Sequence, residues 1–210
     1  VMTEVRNSTS TGSMRLKYYV RAIDRFKPGG EILELACGTG IWTGYLLQYA
    51  AEITAVDAVS EVLAINRERT YPSRVRYIQA DLFDWQPDRG YDVVFFSFWL
   101  SYIPPEKFET FWECVARALK PGGRVFFIDS QCDSTSTAKD HRLKDKQSII
   151  ADRRLNDGRE FRIIKVFYDT EQLSLLLSRL GWNCTVEKTA NYFFYGFGNR
   201  AAFIDNVDQT

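Results

Sequence analysis

The stretch Ile32-Leu33-Glu34-Leu35-Ala36-Cys37-Gly38-Thr39-Gly40 decides how this 210-residue chain is read. Apolar residues run through a single acid, Glu34, into a Gly-Thr-Gly turn, and IWTGYLLQYA (41–50) continues with apolar residues at helical spacing. Glycines permit the tight turn and let a ligand lie against bare backbone near the start of a helix. In an open parallel sheet, ligands bind beyond the carboxyl ends of the strands, where the strand order reverses. The same pattern also fits a tight turn that holds no ligand. Nicotinamide-binding proteins share it but want a third glycine three residues on, where this chain has Thr43.

Working outward, short apolar runs alternate with helical stretches. EILELA (31–36), EITAV (52–56), VRYIQA (75–80), YDVVFFSF (91–98) and RVFFID (124–129) read as buried strands. Between them IWTGYLLQYA, SEVLAINRERT (60–70) and PEKFETFWECVARAL (105–119) read as helices. In the last, Phe108, Phe111, Val115 and Leu119 share a face, Pro104-Pro105 supplies a start and LKPGG a stop. Residues 131–148 are polar and patternless, which predicts a lid or a surface helix. RRLNDGREFRIIKVFY (153–168) carries two extended runs around an Asn-Asp-Gly turn, a hairpin signal. TEQLSLLLSRLGW (170–182) is an amphipathic helix with Leu173, Leu176, Leu177 and Leu180 on one stripe, and NCTVEKT and YFFYGF close the chain as strands. The predicted fold is α/β and Rossmann-like: a seven-stranded, mostly parallel sheet with helices on both faces, an antiparallel C-terminal strand and an inserted β-hairpin.

Composition narrows the function classes. Lys plus Arg and Asp plus Glu both total 27, so no bulk charge favours nucleic acid or an anionic membrane as partner. No apolar run approaches the roughly 18 residues of a membrane span, and VMTEVRNSTSTGSM (1–14) has no signal core. Cys37, Cys114, Cys132 and Cys184 form no CxxC pair, so reduced thiols in a cytoplasmic protein are expected, with no metal. The single histidine, His141, reads as a solvated loop or helix residue and cannot build a histidine metal cage.

Two acids bear on what lies over the glycines. Asp57 ends the second strand, 17 residues past Gly40, and can accept from both hydroxyls of a ribose, at roughly 1.5–3 kcal/mol per charged hydrogen bond. Asp81 ends the third strand, beside a crevice in which its carboxylate and the Leu82 backbone can read an adenine. Either alone could cap the turn that follows it. Together, in register with the glycines, they point to an adenosine site.

In this order the motifs E-x-A-C-G-x-G, a strand-end Asp, ADLFDW, YDVVFFSFWLSYIP and LKPGGRVFFID resemble those of the class I S-adenosylmethionine-dependent methyltransferases, over about residues 31–130. The resemblance implies that S-adenosylmethionine is the cofactor and S-adenosylhomocysteine the product. It implies that Glu34 organises the turn, that Ala36, Cys37, Gly38 and Gly40 line the methionine end, and that Asp57 with Ala58 holds the ribose. Asp81 and Leu82 are then expected at the adenine and Phe98 at the transferred methyl, with Cys37 a small wall rather than a nucleophile. One domain is expected: a tail and helix (1–30), a cofactor-binding half (31–130) and a substrate-side half (131–210) with its hairpin at about 152–168.

The acceptor is less well marked. SFWL after the fourth strand is not the Asn/Asp-Pro-Pro-Tyr of amino-group methyltransferases, and no cysteine follows a proline, so nucleic acid is disfavoured. The second half, with QADLFDWQPDR and FFSFWL, is similar to the group of the phosphonate O-methyltransferase of dehydrophos biosynthesis, which implies a small acceptor and makes an anionic one the leading expectation. Arg153, Arg159, Arg162 and Lys165 are candidates to clamp it, since guanidinium grips such oxygens in pairs; solvated hairpin charges are the other reading. Alternation along the strand places Arg159 and Lys165 on one face and Arg162 on the other. Trp99 and Tyr102 are expected to shape the pocket, Tyr102 being the one candidate base. Where that group is expected to have histidines, this chain has Phe98 and Tyr102. Before the first strand, either Tyr18 and Tyr19 cover the cofactor or a covering segment is missing. Three other readings stand beside this one: a neutral phenolic, heteroaromatic or amine acceptor, a non-catalytic module of the same fold, and a dehydrogenase, which Thr43 and Asp81 oppose.

Overall fold

The computed structural model describes residues 11–70, 73–131, 141–143, 150–154, 158–189 and 192–201; the side chains of residues 11–18, 141–143, 153 and 154 lie outside that description. Helix α1 (Thr11–Phe26) precedes β1 (Gly30–Leu35), α2 (Ile41–Leu46), β2 (Ala50–Asp57), α3 (Ser60–Thr70) and β3 (Val75–Gln79). Then come β4 (Tyr91–Ser97), α4 (Phe108–Ala118) and β5 (Leu119–Ser130). A second group follows, β6 (His141–Leu143), β7 (Ile150–Arg154) and β8 (Glu160–Ile164), before α5 (Thr170–Arg179), β9 (Trp182–Lys188) and β10 (Phe193–Arg200).

The main sheet has seven strands in the order β3-β2-β1-β4-β5-β10-β9. All pairings from β3 to β5 are parallel, and β10 runs antiparallel to both β5 and β9. The expected fold class is therefore the observed one. The order reverses between β1 and β4, which makes the carboxyl ends of those two strands the switch point.

Strand alternation sorts the apolar residues into two cores. On one face Ile32, Ile53, Phe95 and Phe126 meet Ile23 and Phe26 of α1, Trp42 and Leu46 of α2, and Leu63 of α3. On the other, Leu33, Val94, Phe96 and Phe127 meet Phe111, Trp112 and Val115 of α4 and Leu173 and Leu177 of α5. The neighbouring rings Phe96 and Phe127 stack with centroids 5.5 Å apart. Opposite Phe127 stands Gly196, where a Cβ would collide with that ring, so the glycine makes room for the aromatic ladder. Arg124 fastens α1 to the sheet. Its guanidinium donates to the carbonyls of Phe26 and Lys27 at 3.0 Å each and lies over the Phe26 ring, which satisfies acceptors at the end of the helix.

The structure differs from the expected elements in boundaries and in detail. Helix α2 stops at Leu46 and β2 begins at Ala50, because the apolar run continues from helix into strand without a break in hydrophobicity. Leu119 already lies in β5, and Lys120, Pro121, Gly122 and Gly123 form an irregularity against β4 rather than a separate turn. Leu176, expected in the α5 stripe, is 38% exposed, while Leu173 and Leu177 are buried. The predicted hairpin is present as β7 and β8, antiparallel, but it belongs to a three-stranded sheet with β6. His141, expected in a loop or helix, is in that third strand; the rest of the expected lid or surface helix, 132–140 and 144–148, lies outside the described residues, as do Asn156 and Asp157 of the turn. Among the described residues no helix is long and apolar enough to cross a membrane.

Trp112 is fully buried at the meeting of α4, the sheet and the start of β9, with its ring centroid 5.0 Å from that of Trp182 and 5.5 Å from that of Phe127. Trp112→Ala is expected to cost about 3–5 kcal/mol of stability, checked by the urea midpoint of unfolding.

Candidate functional site

Beyond β1 the chain turns through three left-handed residues, Ala36 (φ 52°), Gly38 (φ 53°) and Gly40 (φ 83°). Asp57, at the end of β2, ties the turn down. Its Oδ2 accepts the Gly38 N–H at 2.9 Å and its Oδ1 the Val59 N–H at 3.0 Å. Cys37 N–H reaches the Val56 carbonyl at 3.0 Å. Below the turn, inside the protein, Glu34 accepts the Thr43 hydroxyl at 2.6 Å. Burial, reinforced by the nearby Asp57 charge and opposed by the Thr43 hydroxyl, pushes the Glu34 carboxyl up to about 8. Burial first, then the Glu34 and Asp57 charges, raises the Cys37 thiol well above its ordinary range, which makes it unreactive.

A cavity of about 380 Å³ opens above this turn. Ala36 and Gly38 form its floor; Asp57, Ala58, Val59 and Val62 form one wall; Asp81, Leu82 and Phe83 form another. Asp81 Oδ1 accepts the Phe83 N–H at 2.9 Å, and Oδ2 has no hydrogen bond within the described residues. Ser97, Phe98, Trp99 and Tyr102 close the far side. Trp99 packs against Phe83 at 5.5 Å between centroids, and its indole N–H is buried with no acceptor among the described residues. A buried donor of that kind costs stability until something accepts from it, and it borders the cavity.

Phe98, just past β4, is left-handed as well (φ 53°), so the strands on either side of the switch point both end in a strained non-glycine residue. Its ring packs with Tyr19 of α1 and with Phe193, centroids 6.4 and 5.6 Å away. Tyr19 is buried and backs Phe98 from the α1 side without lining the cavity, while the Tyr18 side chain lies outside the description.

The acceptor candidates do not converge. Lys165, only 5% exposed, donates to Ser101 Oγ at 2.7 Å and lies 4.4 Å from the centre of the Tyr102 ring. Its ammonium stands 4.0 Å from Asp129, an acid with no exposure at all at the end of β5. Asp129 also accepts the Ser101 N–H at 2.9 Å, and burial raises its carboxyl while Lys165 pulls it back down. Arg162 points away, its side chain 77% exposed and 3.7 Å from Asp152. Arg159 is exposed and leans over the Phe161 ring at 5.8 Å. Arg153 lies in β7 opposite Phe161, its side chain outside the description. None of the four expected clamp residues lines the cavity itself; among the described side chains Lys165 comes nearest, packed behind Tyr102 of its wall.

Of the residues expected at the cofactor, Ala36, Gly38, Asp57, Ala58, Asp81, Leu82 and Phe98 line the cavity. Glu34, Cys37 and Gly40 sit in or under the turn and do not face it. Sequence reasoning missed Val59, Val62, Phe83 and Ser97, although Val59 precedes α3, Val62 lies in its first turn, Phe83 follows Leu82 and Ser97 ends β4. It also missed Asp129, whose place at a strand end was the available signal.

The bare backbone at Ala36 and Gly38, the two strand-end carboxylates and the orphaned Trp99 donor fit a nucleoside with an amino-acid tail. Comparison with known proteins agrees. Residues 32–123 match the family described as "Methyltransferase domain". The cypemycin N-terminal methyltransferase of Streptomyces sp is 34% identical over 101 residues, covering 47% of this chain and 41% of that protein. The chain spans between about a fifth and a half of the length of the curated relatives it matches. The solved DhpI–SAH complex is similar over 92% of this chain and 88% of its own, at TM-score 0.77 and 37% identity. The chain therefore belongs to the class I S-adenosylmethionine-dependent methyltransferases, and S-adenosylmethionine is its cofactor. Within that class it is similar to DhpI, which has also been solved in a DhpI–SAM–HEP complex (TM-score 0.76, 38% identity, 91% and 89% of the two chains).

Because the folded chain holds Glu34 protonated up to about pH 8, whereas its ordinary value is 4.5, its contribution to stability is fully present below that value and is lost as pH rises toward 8. Glu34→Gln, which mimics the neutral carboxyl, is expected to melt like the wild type near pH 5 and to be more stable near pH 8.5 by on the order of 1–3 kcal/mol, measured by thermal unfolding at both pH values.

Proposed function

We propose that this protein transfers the methyl group of S-adenosylmethionine to an oxygen of a small anionic acceptor, a phosphonate or a carboxylate. In this reading Asp57 accepts from the ribose hydroxyls and Asp81 from the adenine amine, while Asp57 keeps its two backbone hydrogen bonds and Asp81 its one. The bare backbone of Ala36 and Gly38 passes the methionine tail.

The observation that carries the acceptor class is Lys165. A lysine ammonium is seldom buried, because desolvation disfavours its charge; here it is held beside Asp129 and against Tyr102, a residue of the cavity wall. Such a cation attracts an anionic group to the side of the cavity that carries Phe98. DhpI, 38% identical to this chain, has been solved with both SAM and HEP, which supports a second ligand in addition to the cofactor.

The cofactor supplies an electrophilic methyl on a sulfonium. What this chain contributes is placement. Methyl transfer is an in-line displacement, so holding the acceptor oxygen close and aligned supplies much of the rate. An acceptor already ionised at neutral pH has no proton to lose, which agrees with a cavity wall that carries Phe98, Trp99 and Tyr102 and, among the described residues, no histidine. Tyr19, Phe98 and Phe193 pack edge to face and exclude water from that side. Asp129 acts one step back: it holds the Ser101 backbone and faces the Lys165 ammonium, so the loop after β4 and the segment after β8 are fixed to one another.

Two measurements test this. Calorimetric titration with S-adenosylhomocysteine should show micromolar or tighter binding that Asp57→Ala weakens by roughly 2 kcal/mol. Methyl transfer should then be assayed on small phosphonates and carboxylates and on neutral phenols. Lys165→Met combined with Asp129→Asn keeps the buried charge balanced. It should raise KM for the anionic acceptors about tenfold or more and leave S-adenosylhomocysteine binding unchanged. Turnover of the phenols that is indifferent to the double change would assign a neutral acceptor instead.

A further inference from the structure

Under the glycine turn, outside the cavity, stands a buried carboxamide. Asn66 of α3 has no exposure, on a helix whose neighbouring residues Ile65 and Arg67 face solvent. Its Nδ2 donates to Thr43 Oγ1 at 2.9 Å and to the Gly38 carbonyl at 3.3 Å. Its Oδ1 accepts the Tyr77 hydroxyl at 3.1 Å, and that hydroxyl meets Thr70 Oγ1 at 2.6 Å. The amide orientation follows from chemistry, since the Gly38 carbonyl can only accept. Thr43 passes its own proton on to Glu34, so one chain of hydrogen bonds runs Tyr77, Asn66, Thr43, Glu34.

The carboxamide also bears on Gly40. A Cβ at that position would collide with Asn66 Oδ1, and the Asn66 side chain, held by three hydrogen bonds, has no room to yield. Gly40 is thus required twice, by its left-handed backbone and by the group packed beneath it. Asn66 grips the turn at both its ends, at Gly38 before Gly40 and at Thr43 after it.

We infer that Asn66 is a positioning residue for the cofactor: it sets the backbone of the Gly38–Thr43 turn from below and so determines affinity for the amino-acid tail, without touching the ligand. This rests on the reading that the tail lies over that turn. The nucleoside end depends on Asp57 and Asp81, which leave the ends of β2 and β3; Asp57 meets the turn through the Gly38 N–H alone, whereas the tail lies along the turn itself, and so the two ends of the ligand should respond differently.

The test compares two ligands, S-adenosylhomocysteine and adenosine, which lacks the tail, by titration calorimetry on the full chain. Asn66→Ala is expected to weaken S-adenosylhomocysteine about tenfold or more and to change adenosine by no more than about twofold. Tyr77→Phe serves as the structural control. It removes a hydrogen bond from the same amide on the side away from the turn, and should change neither affinity by more than about twofold at a comparable loss of melting temperature. Equal weakening of both ligands, or the same loss in the control, would make Asn66 merely structural and overturn the inference. Should Asn66→Ala not fold, Thr43→Val cuts the same link from the other side and must give the same selective loss. A wild type that binds adenosine and S-adenosylhomocysteine equally would instead sink the placement of the tail, and the inference with it.

Discussion

Asp57 holds the switch point together with two hydrogen bonds. Strands β1 and β2 end side by side, Leu35 opposite Val56, and their chains must part into two different helices. Parting leaves amides that no sheet partner reaches, and half-buried amides without acceptors are costly. One carboxylate gathers two of them, Gly38 and Val59, from the two diverging chains. On the far side of β1, β4 ends in register with it, and Phe98 turns away with its N–H given to Ile128 at 2.7 Å. Ala36 and Phe98, each bent into a left-handed conformation worth about 1–2 kcal/mol against a non-glycine residue, face the cavity from neighbouring strands. The strain is held by the hydrogen bonds around it, and it is concentrated where the ligand is proposed to lie.

What was legible in the sequence follows from how each signal is encoded. Buried parallel strands are continuous apolar runs, so β1, β2, β4 and β5 stood out, and strand ends could be read because an acid or a glycine interrupts each run. Asp57 and Asp81 are legible on that ground, whereas Glu34, inside β1, owes its expected role to the resemblance alone. The end of α2 was not, because IWTGYLLQYA keeps its apolar character across the change from helix to strand, and hydrophobicity does not distinguish the two there. Asn66 was invisible for a different reason. A polar residue in an amphipathic stretch reads as solvent-facing, and only the third dimension brings Thr43, 23 residues away, to meet it. Lys165 was picked as one of four basic residues by proximity in sequence, but its distinction, a place beside Ser101 at a separation of 64 residues, is purely tertiary.

The formal charge of zero conceals a sorted arrangement. Glu34, Asp57, Asp81 and Asp129 all stand at or near the carboxyl ends of strands, and burial divides their work. Glu34 is enclosed with no cation against it among the described residues, and burial raises its carboxyl to about 8, which favours a neutral prop under the turn. Asp129 is as deeply enclosed but faces Lys165, which opposes the effect of burial. Asp57 and Asp81 border the cavity and keep their oxygens directed at backbone amides with capacity to accept more. Four acids on one side of a sheet thereby serve three different purposes, separated by access to water rather than by residue type.

The two halves of the proposed site are built on supports of different stiffness. The cofactor side rests on β1, β2, β3 and β4, adjacent members of one sheet, and its groups leave the ends of paired strands. The acceptor side depends on the segment after β8, which belongs to a separate small sheet and reaches the loop after β4 through the Val166 N–H to Ser101 carbonyl bond at 2.8 Å and through Lys165. A change in length or charge in that small sheet leaves the parallel sheet intact, whereas a change at the turn alters the packing of α2, α3 and β1 together. The matches divide along the same line: the family match ends at residue 123, within β5, while likeness to DhpI extends over 92% of the chain and so takes in the second half. A fixed cofactor frame carrying an exchangeable acceptor wall accounts for why the first half resembles methyltransferases of many acceptors, and why the proposed acceptor class rests on Lys165 and not on the glycine turn.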